Sequence, residues 1–279
     1  MKALLFILIA FVLVLLTVLF IKNKQNSLIS TLFSFTILTV FGFAAIFWGI
    51  RETDNIKTIE IARASAIKGK EPSIIQIEEK VLIDAPVIEQ FPELPRGCEV
   101  TSLAMLLESA GIKTDKMKLA EEVRKDPAKR SFKNGQIHFG NPNKGFVGNM
   151  YTFNEPGLGV YHEPIMELAE KYLPGKIVNL SNQSFDELKI PLSDARPVWV
   201  IINSQYKELD DSYFQTWHTK EGKIRITMKE HSVLITGYDK DYVYFNDPLT
   251  GLKNKKAPIK DFEKSWVQMG SHALTYSLD

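Results

Sequence analysis

The sequence predicts an α+β domain that follows a two-helix transmembrane hairpin. Two long uncharged runs open the chain, the predicted helices of the remainder come early, and predicted strands dominate its second half. Helices segregated from mostly antiparallel strands are typical of the α+β class. The predicted organisation is a helical hairpin over residues 1–50, a charged juxtamembrane linker or helix over 51–80, and one α+β domain over 81–279, which is long enough for a single core.

The two apolar runs are predicted to cross a membrane. Residues 3–21 and 27–50 carry no charge, and a bilayer core needs about 20 residues of helix. A cleaved signal peptide explains the first run less well, because the run is long and no small-x-small cleavage motif follows it. A buried soluble helix pair is the other alternative. The lysines and arginines that flank the spans favour a cytoplasmic C-terminal domain.

Composition and charge exclude some classes of partner. The chain has 34 Lys and Arg against 33 Asp and Glu, which gives no argument for a nucleic-acid partner or a strongly acidic substrate. Cys98 is the only cysteine, so no intramolecular disulfide can form. We predict no metal and no cofactor, because the other histidines lack the short spacing of ligand sets. These histidines are His138, His162, His218 and His272.

The predicted helices come first in the α+β domain. Apolar residues recur at helical spacing in 98–110, at Val100, Leu103, Ala104 and Leu107. A second helix is predicted after His162, with Pro164 in its first turn. Ser184 and Glu187 resemble a capping box for a short third helix.

The predicted strands follow the helices. They lie at 197–203, 223–228, 231–238, 241–246 and 272–277. The segment 131–161 is rich in Gly, Asn and Pro, and we predict a long surface loop there. Trp199 and Trp217 are candidates for a substrate groove, although aromatic residues near strands usually belong to the core.

Cys98 is predicted to open the first helix, because Pro92, Pro95 and Gly97 disfavour helix before it. Only the thiolate is nucleophilic, and an ordinary cysteine has a pKa of about 8.5. The positive end of a helix dipole and a neighbouring imidazolium both lower this pKa. We therefore expect a lowered pKa if Cys98 is a nucleophile. The alternative is a buried packing cysteine, which the polar neighbours of Cys98 disfavour.

A hairpin is predicted to bring His231 beside Asp247. If Tyr238 pairs with Tyr242 across the turn, Val233 lies opposite Asp247, and His231 is its diagonal neighbour on the same face. Such diagonal neighbours lie about 7–8 Å apart. A carboxylate bonded to one ring nitrogen fixes the tautomer and leaves the other nitrogen for a thiol. Alternatively, His231 is a surface residue and the Asp-Pro pair is an ordinary turn signal.

Ordered motifs between residues 81 and 277 carry a resemblance to a known family. Residues 85–105, which contain Gly97-Cys98-Glu99, resemble the nucleophile segment of the bacteriocin-leader-processing cysteine peptidases. They resemble more closely the stand-alone relatives of these peptidases in Gram-positive bacteria. Further similar motifs lie at 145–148, 159–165, 196–200, 230–239 and 246–248.

The resemblance implies a papain-like fold and a cysteine peptidase that acts on a peptide or protein substrate. It gives Cys98 the role of nucleophile, His231 that of general base and acid, and Asp247 that of the carboxylate that orients the histidine. Gln90 takes the place of the oxyanion residue, although the family's Gln usually stands nearer to its Cys. No Walker A motif is present, so fusion to an export ATPase is not implied. The stand-alone relatives resemble surface or secreted proteins, which favours an extracytoplasmic domain.

Two other functions fit the same residues. An acyl transferase or deamidase would use the same thioester with another acceptor or substrate. A non-catalytic, membrane-anchored peptide-binding module belongs to a different class, and an intact set of Cys98, His231 and Asp247 argues against it. His162 lies in one of the similar motifs and could line the cleft, but we favour a role in capping the helix that follows it.

Overall fold

The protein is described here by a computed structural model over residues 76–278. Its strands are β1 Val81–Leu82, β2 Lys125–Asp126, β3 Ser131–Lys133, β4 Gln136–His138, β5 Phe146–Val147, β6 Ile177–Asn179, β7 Val198–Asn203, β8 Phe214–Thr219, β9 Gly222–Thr227, β10 Glu230–Tyr238, β11 Tyr242–Asp247, β12 Leu252–Pro258 and β13 Ala273–Tyr276. Its helices are α1 Cys98–Ser109, α2 Lys116–Glu122, α3 His162–Tyr172, α4 Lys189–Ser193 and α5 Ile259–Gln268, with 3-10 turns at Phe185–Leu188 and Asp211–Tyr213.

One antiparallel sheet organises the described residues. Its strand order is β12-β11-β10-β7-β13-β6, and β1 also pairs with β10. A second sheet has the order β3-β4-β8-β9, and β2 pairs with β5 in parallel. Helix α1 packs against β10 and β7, while α5 packs against β7 from the opposite side. The α+β part of the predicted fold is therefore observed.

Strand β7 is buried on both faces, which explains its continuous apolar run. Trp199 and Ile201 join the core that contains α1, whereas the alternate residues Val200 and Ile202 join the core that contains α5. This alternation follows from the two-residue repeat of a strand. The sheet thereby fixes the start of α1 beside the first residues of β10, which pairs with β7 along its length.

The hairpin of β10 and β11 has the predicted register beside the site but not at the turn. Leu234 pairs with Asn246, which is the register on which the position of Asp247 was predicted. At the turn, Tyr238 pairs with Val243, one residue later than predicted. A bulge in β10 accounts for the shift between the two ends.

The transmembrane hairpin is the part of the predicted fold that has to be corrected. Both predicted spans, 3–21 and 27–50, lie outside the described residues, as does most of the predicted linker 51–80. Within residues 76–278, no helix has the length and apolar character needed to cross a membrane. The supported architecture is therefore the α+β domain alone, and membrane attachment is withdrawn. The domain borders and the extracytoplasmic location stay predictions.

Several local predictions were also wrong. The predicted loop 131–161 contains the short strands β3, β4 and β5. Helices α2 and α5 and strands β8 and β12 were not predicted. Ser184 makes no capping hydrogen bond with its side chain, and the short helix predicted after it begins as the 3-10 turn Phe185–Leu188 and continues as α4. His162 is the first residue of α3, whose N-cap is Tyr161, and no side chain caps that helix.

Candidate active site

Cys98 is the first residue of α1, as predicted, and the residue is only 6% exposed. Gly97 before it is required by a close contact, since a Cβ at this position would lie 2.6 Å from Leu94 Cβ. The carbonyl of Gly97 accepts a 2.7 Å hydrogen bond from the Thr101 hydroxyl. The first amides of a helix have no partner within the helix, so the start of α1 also presents backbone N–H groups beside the thiol.

His231 and Asp247 form a buried pair. His231 Nε2 lies 2.8 Å from Asp247 Oδ1, and the two side chains are 3% and 0% exposed. His231 is near the start of β10 and Asp247 ends the neighbouring strand β11. Because Nε2 is bonded to the carboxylate, Nδ1 is the ring nitrogen left to exchange a proton with a nucleophile.

The carboxylate of Asp247 is surrounded by hydrogen-bond donors. Its Oδ2 accepts bonds from Tyr206 Oη at 2.9 Å, Lys255 Nζ at 2.9 Å and Thr250 Oγ1 at 2.8 Å. Burial alone would raise the pKa of Asp247, but the bonds and charges of His231 and Lys255 outweigh it and hold that pKa well below its ordinary value. The carboxylate is therefore ionised throughout the neutral range.

Cys98 and His231 line the same cleft, whose volume is about 210 Å³. The lining also includes Gln90, so three of the four predicted site residues meet here, and Asp247 lies behind His231. An adjoining cleft of about 360 Å³ shares Arg96, Phe153 and Met228 with the first. These two adjoining clefts together define the groove beside Cys98.

Two acidic side chains lie against the thiol and were not predicted to belong to the site. Cys98 Sγ lies 3.4 Å from Glu99 Oε2, and Glu230, the residue before His231, lines the same cleft. One donor atom from each of these three residues lies within 4.8 Å of the others. Glu99 is fully buried, and its Oε1 accepts a 2.7 Å hydrogen bond from the Val160 amide.

The pKa of Cys98 is raised, contrary to the sequence-based expectation. Burial raises it most, because the thiolate is poorly solvated, and the nearby Glu99 and Glu230 carboxyls raise it further. The thiol donates to Glu99, and a bond of this kind also stabilises the protonated form. A hydrogen bond from the Ser232 backbone lowers the Cys98 pKa but does not offset these effects, so Cys98 is a thiol at neutral pH.

Gln90 is in the cleft, but its amide nitrogen is already bonded. Nε2 donates to the carbonyls of Pro95 at 2.9 Å and Leu94 at 3.3 Å. Its Oε1 is buried and has no hydrogen-bond partner among residues 76–278. A donor to an oxyanion would have to release one of these two bonds, so the oxyanion role of Gln90 stays a prediction.

Comparison with known proteins decides the family. The sequence profile of the Peptidase_C39 like family matches residues 82–274, which contain all four predicted site residues. This chain belongs to the Peptidase_C39 like family. The prediction that it is a stand-alone relative of the bacteriocin-leader-processing peptidases is confirmed.

This C39-like chain is similar to two bacterial proteins over most of its length. It is 47% identical over 183 residues to "Uncharacterized protein YvpB" of Bacillus subtilis (strain 168), a match that covers 66% of this chain and 70% of that protein. A crystal structure from Bacillus anthracis, described as a "putative C39-like peptidase", is 49% identical with a TM-score of 0.67. That match covers 72% of this chain and 99% of the crystallised chain.

The cluster of Cys98, Glu99 and Glu230 has a spacing that a metal ion could bridge, but its chemistry does not fit a metal. Metal ligands bind in their deprotonated forms. All three groups hold their protons more strongly than usual, because burial raises the pKa of each and neighbouring carboxyls raise those of Cys98 and Glu230 further. The thiol and the two carboxyls of this C39-like site are therefore poor metal ligands, because they retain their protons.

The other histidines, Trp199 and Trp217 do not line the Cys98 cleft. His162 Nδ1 lies 2.6 Å from His272 Nδ1 and the two rings stack, so His162 neither lines the Cys98 cleft nor caps α3. His138 stacks on His218 in the second sheet. Trp199 is a core residue whose Nε1 donates to the Glu99 carbonyl, whereas Trp217 lines the adjoining cleft.

Sequence reasoning missed the residues that support the site. Glu99 follows Cys98 and Glu230 precedes His231 in sequence, and this placement was an available signal. Tyr206 lies in a loop without apolar periodicity, so nothing in the sequence indicated its contact with Asp247. Lys255 is on β12, a strand that was not predicted.

Proposed function

We propose that this C39-like protein is a cysteine peptidase that cleaves peptide or protein substrates through a thioester on Cys98. The observation that carries the proposal is the 2.8 Å bond between His231 Nε2 and Asp247 Oδ1, which is buried behind the cleft that Cys98 and His231 line. A nucleophile, a base and a group that orients the base are the parts needed for acyl transfer.

In the proposed mechanism, His231 Nδ1 takes the thiol proton as Cys98 Sγ attacks the scissile carbonyl carbon. The backbone N–H of Cys98, at the start of α1, is placed to donate to the resulting oxyanion. The imidazolium then gives its proton to the leaving amine, and a thioester remains on Cys98. Water attacks the thioester with His231 again as base, which releases the acid product and restores the thiol.

The raised pKa of Cys98 decides when the thiolate forms. A thiolate and imidazolium pair would need a lowered thiol pKa, whereas burial and the adjacent carboxyls raise it. Proton transfer to His231 therefore accompanies attack, as general-base catalysis, and does not precede substrate binding. We expect slow reaction of Cys98 with small alkylating reagents at neutral pH and faster reaction with peptide-like reagents that fill the groove.

The groove favours apolar peptide side chains. Phe153 is 61% exposed and Met228 is 55% exposed, although both line the clefts beside Cys98. Leu249, which lines the Cys98 cleft, is also exposed. Exposed apolar side chains grouped at a cleft mark a binding surface rather than chance exposure.

Cleavage of a peptide library by the full-length chain tests the proposed function. We expect cleavage by wild type, and a loss of at least about 100-fold in Cys98→Ala and His231→Ala. His218→Ala is the matched control, because His218 stacks on another histidine in the second sheet, outside the lining of both clefts. Equal cleavage by wild type and Cys98→Ala would overturn the proposal.

A non-catalytic peptide-binding module is the second candidate, and two observations favour it. The pKa of Cys98 is raised, and the amide nitrogen of Gln90 is bonded to loop carbonyls. For a module, peptides selected from the library bind wild type and Cys98→Ala with equal affinity, and neither protein cleaves them. For the peptidase, Cys98→Ala retains binding while wild type turns the same peptides over.

A further inference from the structure

Glu99 and Glu230 have no part in the proposed mechanism, although their carboxyl groups lie beside the thiol. One oxygen of each carboxyl and Cys98 Sγ lie within 4.8 Å of one another. Glu230 Oε1 is a buried oxygen that has no hydrogen-bond partner among residues 76–278. Two carboxylates so close in a site shielded from water cannot both ionise readily, because like charges repel strongly at low dielectric.

We propose that Glu99 and Glu230 share one proton, and that the charge of this pair sets the pH at which Cys98 becomes a thiolate. This regulation of catalysis rests on the proposed function, because it acts on the proposed nucleophile. The sharing of the proton itself does not depend on peptidase activity.

Hydrogen bonds hold the Glu99 carboxyl in place, and the backbone at Gly159 leaves room for both carboxyls. Glu99 Oε1 accepts the Val160 amide hydrogen and Oε2 accepts the thiol hydrogen of Cys98, so both oxygens of Glu99 are fixed. Gly159 leaves the space that the pair occupies, since a Cβ there would lie 2.1 Å from Glu99 Oε1 and 2.8 Å from Glu230 Oε2. Both carboxyl groups therefore pack against Gly159, in space that a side chain at this position would fill.

No basic side chain neutralises the pair within the described residues. The titratable or charged groups that face it from the neighbouring elements are Cys98 on α1, His231 on β10, Tyr161 before α3 and Arg96 before α1. The Arg96 guanidinium is bonded to the carbonyls of Asn149 and Thr152 and lies 4.8 Å from the Phe153 ring centroid. Burial and both carboxyls raise the pKa of Tyr161, so this phenol stays neutral.

The charge of the pair changes near neutral pH. Burial raises the pKa of Glu99 to about 7, and burial together with Glu99 raises that of Glu230 well above its ordinary value. Below about pH 7 the pair is neutral, and above it the pair carries one negative charge beside the thiol. That charge disfavours the thiolate, so the pair holds Cys98 in its protonated form as pH rises.

Alkylation of Cys98 in the full-length chain measures this effect without any substrate, because the chain has one cysteine. The rate with iodoacetamide is followed from about pH 5 to about pH 10, a range that covers the carboxyl and thiol transitions. In the double variant Glu99→Gln with Glu230→Gln, we expect the thiol pKa to be at least about one unit below that of wild type. An unchanged thiol pKa in this variant, with a native circular dichroism spectrum, would overturn the proposal.

The single variant Glu230→Gln keeps the test decisive if the double variant does not fold. In wild type the proton shared with Glu230 stabilises the ionised Glu99 carboxyl, and an amide is a weaker donor, so we expect the transition near pH 7 to move to higher pH. Glu263→Gln is the matched control, since Glu263 is an exposed residue of α5 outside the lining of both clefts, and it should keep the wild-type profile. A transition at the same pH in Glu230→Gln and wild type contradicts a shared proton.

The outcomes separate this proposal from the proposed function. A shifted alkylation profile in a protein that cleaves no peptide supports the carboxyl pair and argues against the peptidase. Peptide cleavage by a protein whose alkylation profile is the same in wild type and Glu230→Gln overturns the carboxyl pair and leaves the peptidase standing.

Discussion

His231 Nε2 is bonded to Asp247 Oδ1 at 2.8 Å across two adjacent antiparallel strands. The bond does not depend on a substrate, because the carboxylate is held by three further side chains. The histidine is therefore set in one tautomer before any peptide enters the cleft. Orientation fixed in advance removes a cost that would otherwise appear in the transition state.

Asp247→Asn tests this orientation. If the amide introduced at position 247 donates its N–H to His231 Nε2, the ring proton moves to Nδ1. Nδ1 can then no longer accept the proton of Cys98. We expect kcat/KM for a cleaved peptide to fall by about 100-fold or more. Asp261→Asn, an exposed carboxyl in the first turn of α5, is the control and should keep wild-type activity. Comparable rates in Asp247→Asn and wild type would show that the bond has no catalytic role.

The pH dependence of stability reports the ionised state of Asp247. Its pKa in the folded protein lies below the unfolded value of about 3.9, so the stabilising contribution is complete above that pH. The contribution is lost as the pH falls below about 4 towards the folded pKa, by at most about 1.4 kcal/mol per pH unit. Urea unfolding of wild type and Asp247→Asn should therefore converge between about pH 6 and about pH 3. A constant difference across this range contradicts the account.

Tyr206→Phe isolates one donor to the carboxylate. It removes the 2.9 Å bond to Asp247 Oδ2 and keeps the ring that packs near His231. A hydrogen bond to a charged group contributes about 1.5–3 kcal/mol, so we expect at least about a tenfold loss of kcat/KM if part of it orients the pair. Tyr213→Phe, at an exposed tyrosine, is the control. Loss of stability without loss of activity would limit Tyr206 to a structural role.

Gly159→Ala tests the packing of the carboxyl pair. The added Cβ would lie 2.1 Å from Glu99 Oε1, so we expect a loss of about 2–3 kcal/mol in the free energy of unfolding. Gly175→Ala is the comparison, because a Cβ there meets nothing within 4 Å and only its positive φ opposes the change. That substitution should cost about 1 kcal/mol. Equal denaturation midpoints for the two variants would show that the carboxyls move aside freely.

The parts of the site that were predictable follow local rules. Proline and glycine before residue 98 set the start of α1, and strand periodicity with a short turn placed His231 and Asp247 on one face. The one-residue bulge in β10 was not predictable from the pattern, but it lies between the turn and the site. The register beside Asp247 therefore agrees with the prediction.

The parts that were not predictable depend on contacts between distant segments. Glu99 and Glu230 meet only because α1 packs on β10. Burial of Cys98, together with these two carboxyls, reverses the expected direction of the Cys98 pKa shift. The orientation of Gln90 depends on the carbonyls of its own loop. Helix α5 was missed although Phe262 and Trp266 have helical spacing, because the late part of the chain was interpreted as strands.

The labelling rate of Cys98 by a peptide-like electrophile tests the central claim most directly. A short apolar peptide vinyl sulfone is added to full-length wild type and to His231→Ala at about pH 7, and mass spectrometry follows the modified protein. If His231 takes the thiol proton during attack, wild type is labelled at least about 100-fold faster than His231→Ala, and His218→Ala matches wild type. Equal labelling rates in wild type and His231→Ala would contradict the assignment of His231 as the base of a Cys98 nucleophile.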